Sequence, residues 1–176
     1  ETVRDMRHDS IDTIVAEAIP QNSFADQWDA EKLKASSRAT LGLDIPAEDW
    51  IAEDGIAEEE ITERLQGLSD SYMAEKGTRF GPEIMRMAEK SLLLQVLDQQ
   101  WKEHLLQLEQ LRQGINLRAY AQKDPLNEYK REAFIMFEAM LTTMRQTVTM
   151  ALSHVELREP DDCLLYTSPS PRDQSG

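Results

Sequence analysis

The sequence holds one cysteine, Cys163, which excludes an internal disulfide and suits a reducing compartment. Glycine and proline are scarce, at 7 each, and aromatic residues make up only 6%. Runs of β-branched and aromatic residues are hard to find, which argues against strands. No apolar run approaches the roughly 20 residues that a membrane helix needs. The 7 glycines assemble neither a P-loop nor a dinucleotide fingerprint. His8, His104 and His154 stand far apart, so no zinc spacing is present and no metal site is expected. Positive charge is short where it would matter for nucleic acid. Residues 1–81 carry 8 Lys/Arg against 19 Asp/Glu, residues 82–158 carry 10 against 10, and the whole chain is at −14. Such a surface repels a phosphate backbone, so no nucleic-acid partner is expected.

What remains is helix-forming material: Leu, Ala, Glu, Gln, Met and Arg are plentiful, and the expected class is all-α. In residues 1–19, Val3, Met6, Ile11, Ile14, Val15 and Ala18 share one helical face, and Pro20 stops the run. The pattern is already amphipathic at Glu1, with no initiator Met, so the chain reads as a piece of a longer protein whose first helix continues an earlier one. Residues 20–81 are acidic and more sparsely anchored. Ser23, with Asp26 three residues on, reads as a helix cap. A second helix is expected over 57–76, ended by Gly77, with Ile61, Leu65, Leu68, Tyr72 and Met73 inside. Glu58-Glu59-Glu60 reads as a solvated helix start favoured by the dipole, not as a metal or acid–base site.

From Pro82 the periodicity strengthens. Leu94, Leu97, Trp101, His104, Leu108, Leu111 and Ile115 alternate in steps of three and four, the spacing of a coiled-coil seam. Leu93, Leu105 and Leu106 widen it, which predicts more than one partner helix. His104 on such a face is more often a satisfied core residue than a ligand or a base. The helix is expected to end near Gly114. After a connector over 115–123, Asp124-Pro125 reads as N-cap and first-turn proline. A second helix then buries Phe137, Met140, Leu141, Met144, Val148, Ala151 and Val155. Trp101, Leu97, Leu108, Phe137 and Met144 are the expected structural anchors of this antiparallel hairpin. Met136, Met140, Met144 and Met150 read as core filler more readily than as a peptide groove. The connector carries Arg112, Arg118 and Lys123 with no acid between Glu109 and Asp124, and Ile115, Leu117 and Tyr120 sit among them. It reads either as a solvated loop or as a basic, amphipathic tip that touches another surface. No catalytic residue emerges.

At this hairpin the order of residues is specific. Leu97-Asp98-Gln99-Gln100-Trp101-Lys102-Glu103-His104-Leu105 is followed by Leu111-Arg112-Gln113-Gly114-Ile115-Asn116-Leu117-Arg118-Ala119-Tyr120-Ala121-Gln122-Lys123-Asp124-Pro125 and then Glu128-Tyr129-Lys130-Arg131-Glu132. These runs closely resemble the SecA family, the ATPase motors of bacterial preprotein translocation. The resemblance implies the end of a long scaffold helix over 1–19, a helical wing over 20–81 and a two-helix finger over 82–158. It further implies that the finger tip approaches the cytoplasmic mouth of the SecYEG channel. A tip tyrosine there contacts the moving preprotein, and Tyr120 occupies that place, with Ile115, Leu117, Arg118 and Lys123 around it. The finger region of the family also helps restrain ATP turnover until the motor engages.

By the same resemblance, ATP and Mg belong to nucleotide-binding domains that would lie before Glu1, and this piece has no cofactor of its own. The partners implied are the channel, preproteins and the remaining SecA domains. The implied location is the cytoplasm and the cytoplasmic face of the inner membrane, held peripherally through the parent. The family's zinc-binding tail is absent. Residues 159–176 are aperiodic and are expected to be disordered and non-native, since 163–173 resembles a translated sequencing adaptor. The alternative is a stand-alone helical adaptor that binds a protein through its seam or its acidic wing. Isothermal titration of the isolated chain with micromolar Mg-ATP is expected to show no saturable heat, because no Gly-rich nucleotide loop is present; micromolar binding would overturn this reading.

Overall fold

The computed structural model describes residues 2–118 and 124–156. The described residues form six α-helices and one 3-10 turn, with no strand among them. The helices are α1 (Thr2–Ala18), α2 (Ala30–Leu41), α3 (Ala47–Ile51), α4 (Glu58–Phe80), α5 (Pro82–Arg118) and α6 (Pro125–His154), and the 3-10 turn is Ala25–Gln27.

Local chemistry sets most of the boundaries, and three of them differ from the expectations above. Ser23 does not cap a helix: its hydroxyl donates to the Pro20 carbonyl and closes a turn. Asp29 takes the capping role instead, accepting from the Lys32 amide at 2.8 Å just before the apolar positions Leu33 and Leu41 begin. Helix α4 passes through Gly77 to Phe80 and exits at Gly81, whose φ of 89° lies in the left-handed region that glycine tolerates. Pro82 then opens α5 at once. Helix α5 continues through Gly114 to Arg118. A mid-helix glycine costs only about 1 kcal/mol, and Ile115, the next residue, is buried.

Two cores form. The first gathers Ile11, Ile14, Val15, Ala18 and Ile19 at the C-terminal end of α1 with Leu33, Leu41, Ile45, Ala47, Ile61 and Leu65, and Trp28 and Trp50 pack against it. The second joins Met73 of α4, Met85 and Val96 of α5 and Met144, Val148 and Leu152 of α6, with Val3 and Met6 of α1 at its edge. Helices α1 and α4 therefore feed both cores, while α5 and α6 belong to the second alone.

Polar groups fill the junction between α1 and α4. The nearly fully buried Arg7 donates to Asp70, as does Arg4 at 2.8 Å, and His8 Nε2 lies 3.0 Å from the same carboxylate. Burial works to raise the Asp70 pKa, but the hydrogen bonds and charges of Arg7 and His8 outweigh it and hold the carboxyl below its ordinary value. On the other side of α1, Ser10 and Thr149 hydroxyls meet at 3.3 Å and Arg145 pairs with Asp9 at 3.2 Å, which fastens α1 to α6.

The buried line of α5 runs through Met85, Val96, His104 and Ile115. Of the expected seam, His104 and Ile115 lie on it, whereas Leu94, Leu97 and Trp101 are 40–54% exposed, as is Leu105 beside them. The apolar arc of α5 is wider than one neighbouring helix covers.

Asp70→Asn is expected to lower unfolding free energy at neutral pH by about 1–3 kcal/mol, because Arg7 stays buried without its charge partner. A depressed carboxyl contributes stability above its unfolded pKa of about 3.9 and loses it as pH falls through the folded value. Urea titrations at pH 7 and pH 3 should therefore show the gap between parent and variant narrowing in acid. A gap of equal size at both pH values would contradict the pairing. The two faces of the hairpin separate in the same assay: Leu152→Ala should cost about 2–5 kcal/mol, and Leu105→Ala no more than about 0.5 kcal/mol.

Candidate functional site

The hairpin of α5 and α6 is the largest construction in the chain. At a rise of about 1.5 Å per residue its arms are roughly 55 and 45 Å long. Val96 and Met144 share the second core, and the His104 and Phe137 rings lie 5.8 Å apart. Moving eight residues forward on α5 thus matches seven backward on α6, an antiparallel register. Continued outward, it brings Ile115 level with the start of α6. The end of the connector that enters α6 is chemically defined. Asp124 accepts from the Leu126 amide at 3.1 Å and from Asn127 Nδ2 at 2.9 Å, and Pro125 takes the first turn.

The candidate residues divide at this end. Ile115 is buried at 6% exposure. Leu117 and Arg118 lie in the last turn of α5. Tyr120 and Lys123 lie outside the described residues. Arg112 is not a free cation: it donates to Glu109 at 2.8 Å, and Gln113 donates to the same carboxylate at 3.1 Å. These bonds hold the Glu109 carboxyl below its ordinary range. The acid that balances Arg112 stands one turn before it, at the edge of the stretch that lacks acids.

Halfway along the hairpin, Trp101, His104 and Phe137 form a tilted aromatic row with 5.8 Å between successive centroids. His104 is 4% exposed, and its Nδ1 has no hydrogen-bond partner among the described residues. It borders a slot of about 160 Å³ that Gln100, Gln107, Met140 and Thr143 also line. Of the expected anchors, Met144 is buried, Leu108 is half-buried, and Leu97, Trp101 and Phe137 reach the surface. Together with Leu94, Leu105 and Phe134 they make an apolar face uncovered among the described residues.

At its other end the hairpin is latched. Lys76 of α4, itself buried, donates to the carbonyls of Leu152 and Ser153, the first at 3.0 Å, and the Tyr72 hydroxyl donates to Ser153 at 3.1 Å. These are C-terminal carbonyls of α6, which lack helical partners. His154 Nε2 reaches the Ala39 carbonyl at 2.8 Å, next to Gly42, the left-handed cap of α2. A Cβ at Gly42 would meet the His154 ring at 3.5 Å. Sequence reasoning missed both this latch and the Arg7–Asp70 pairing. The signal was present: Arg7 falls on the apolar face of α1 between Val3 and Ile11, and Lys76 continues the buried line Ile61, Leu65, Met73 of α4.

Among the described residues no group of His, Cys, Asp or Glu has the geometry of a metal site, and no helix is long and apolar enough to cross a membrane. The arrangement supports mechanical work: a long, stiff arm held at its base by buried polar contacts.

Comparison with known proteins agrees with this architecture. Residues 1–156 match the family model described as the SecA Wing and Scaffold domain. The protein translocase subunit SecA of Rhodopseudomonas palustris strain BisB18 is 52% identical over 161 residues, covering 92% of this chain and 17% of that protein. SecA of Afipia carboxidovorans is 50% identical over 162 residues, and SecA 1 of Nitrobacter hamburgensis 48% over 162, with the same two coverages. The chain thus spans about one-sixth of the length of these relatives. With its fold and the family match in agreement over residues 1–156, the chain belongs to the SecA family, as a wing and scaffold portion.

Proposed function

We propose that this chain is the scaffold and wing portion of a motor that drives preproteins through the SecYEG channel at the cytoplasmic face of the bacterial inner membrane. In this reading residues 1–19 end the long scaffold helix, 20–81 form the wing and 82–158 the two-helix finger. The parent hydrolyses ATP with Mg in its other domains. This portion transmits their motion to the finger tip, where Leu117, Arg118, Tyr120 and Lys123 meet the channel and the preprotein; Ile115, expected among them, is buried and anchors the hairpin instead.

The observation that carries the reading is the hairpin's geometry. Fourteen residues of α5 lie beyond His104 and twelve of α6 precede Phe137, so both arms extend roughly 20 Å past the aromatic row. Two such arms make a rigid mount for a functional side chain carried between them. Tyrosine suits a moving chain of varied sequence: its ring gives apolar contact without a pocket, and its hydroxyl bonds to any backbone. The apolar face of Leu94, Leu97, Trp101, Leu105 and Phe137 fits the remaining SecA domains as a packing surface.

In the full-length parent, Tyr120→Ala is expected to cut preprotein translocation severely while changing hairpin stability by less than about 1 kcal/mol. Tyr120→Phe, which keeps the ring, should keep much of the activity if ring contact dominates. Normal transport by Tyr120→Ala would overturn the assignment of the working end.

A further inference from the structure

Beside the latch at the base of the hairpin lies a cavity of about 300 Å³ between α2, α4 and the end of α6. Arg38, Lys76, Arg79 and His154 line it, with Glu75 and Glu156 as the only carboxylates in its lining. The setting is unusual for this part of the chain, where acids outnumber Lys and Arg by 19 to 8 over residues 1–81. Three of those 8 cations converge on one cavity. Arg38 and Arg79 have no ion-pair partner among the described residues, and Arg79 rests on its neighbour Phe80 at 4.4 Å.

We propose that this cavity binds a phosphate group, held by the Arg38 and Arg79 guanidinium groups over the buried Lys76 ammonium. Lys76 spends two hydrogen bonds on the α6 carbonyls and retains a third N–H, since an ammonium has three. Guanidinium groups bind phosphate oxygens through forked pairs of N–H donors. A tetrahedral oxyanion presents acceptors in several directions, which suits cations delivered by separate helices better than a planar carboxylate does. The space is several times the roughly 30 Å³ share of one water, enough for a phosphate group with its hydration. Crowding supports the same reading: burial first, and then the charge of Arg79, pushes the Lys76 ammonium below its ordinary pKa, and the opposing charge of Glu156 does not offset them. An anion placed among these cations relieves that repulsion.

The inference does not depend on the finger's role, and it is tested on the full chain by amide NMR. Inorganic phosphate is titrated at low ionic strength, with chloride as the control. Saturable shifts are expected at Gly42, Ser153 and His154, with affinity in the millimolar range. The double variant Arg38→Gln/Arg79→Gln should weaken binding about tenfold or more, since each lost charge-assisted bond counts. Its melting temperature without phosphate should match the parent, because both side chains are exposed. Lys102→Gln/Lys130→Gln removes two surface charges elsewhere and should leave binding intact. Co-sedimentation with phosphatidylglycerol vesicles separates the sources. Arginine-dependent sedimentation assigns the phosphate to a lipid headgroup, and saturation by inorganic phosphate without sedimentation assigns it to a free ion. Absence of saturable shifts and of sedimentation, or equal binding by the double arginine variant, would overturn the proposal.

Discussion

The fold depends on α1 serving two cores at once. Ile11, Ile14, Val15 and Ala18 close the first core, while Val3 and Met6 edge the core at the base of the hairpin. A helix in that position lies against α2, α4 and α6 at once, so its packing ties together elements distant in sequence. Arg7 is the consequence. It sits where the two apolar halves meet, beside α4, and a guanidinium buried there needs a carboxylate. Asp70 answers it from α4, 63 residues away, and gathers Arg4 and His8 as well.

The hairpin follows a different rule. Toward its tip, beyond the residues that join the second core, α5 and α6 pack chiefly against each other. Stiffness comes from backbone hydrogen bonds within each long helix and from the buried line Val96, His104, Met140 and Met144. The restraint on the arm is concentrated at its base, where Lys76, Tyr72 and the Ala39 carbonyl meet the last turn of α6. The arm is thus fixed at one end, through the last turn of α6. Since α4 and α2 supply the fixing groups, these helices and the arm are joined through backbone carbonyls and not through apolar area alone.

The sequence by itself determined the class of fold, the existence of the hairpin and its family. Those properties rest on local codes: 3.6-residue periodicity, the Asp124-Pro125 cap and the order of residues around Trp101 and Tyr120. Local codes were less decisive at glycines. Gly77 and Gly114 both have the chemistry of helix ends, yet both helices continue through them, and α4 exits at Gly81, where φ is positive. Ser23 and Asp29 both had cap chemistry, and only the geometry of the Pro20 turn chose between them. Tertiary structure alone decided which side of the apolar arc of α5 faces α6, because a stripe spanning Leu94 to Leu108 offers several registers of similar periodicity. It also decided the partners of Arg7 and Lys76. A charged residue on an apolar face announces that a partner is needed, but the partner lies 63 residues away in one case and 76 in the other, and only the folded chain brings them together.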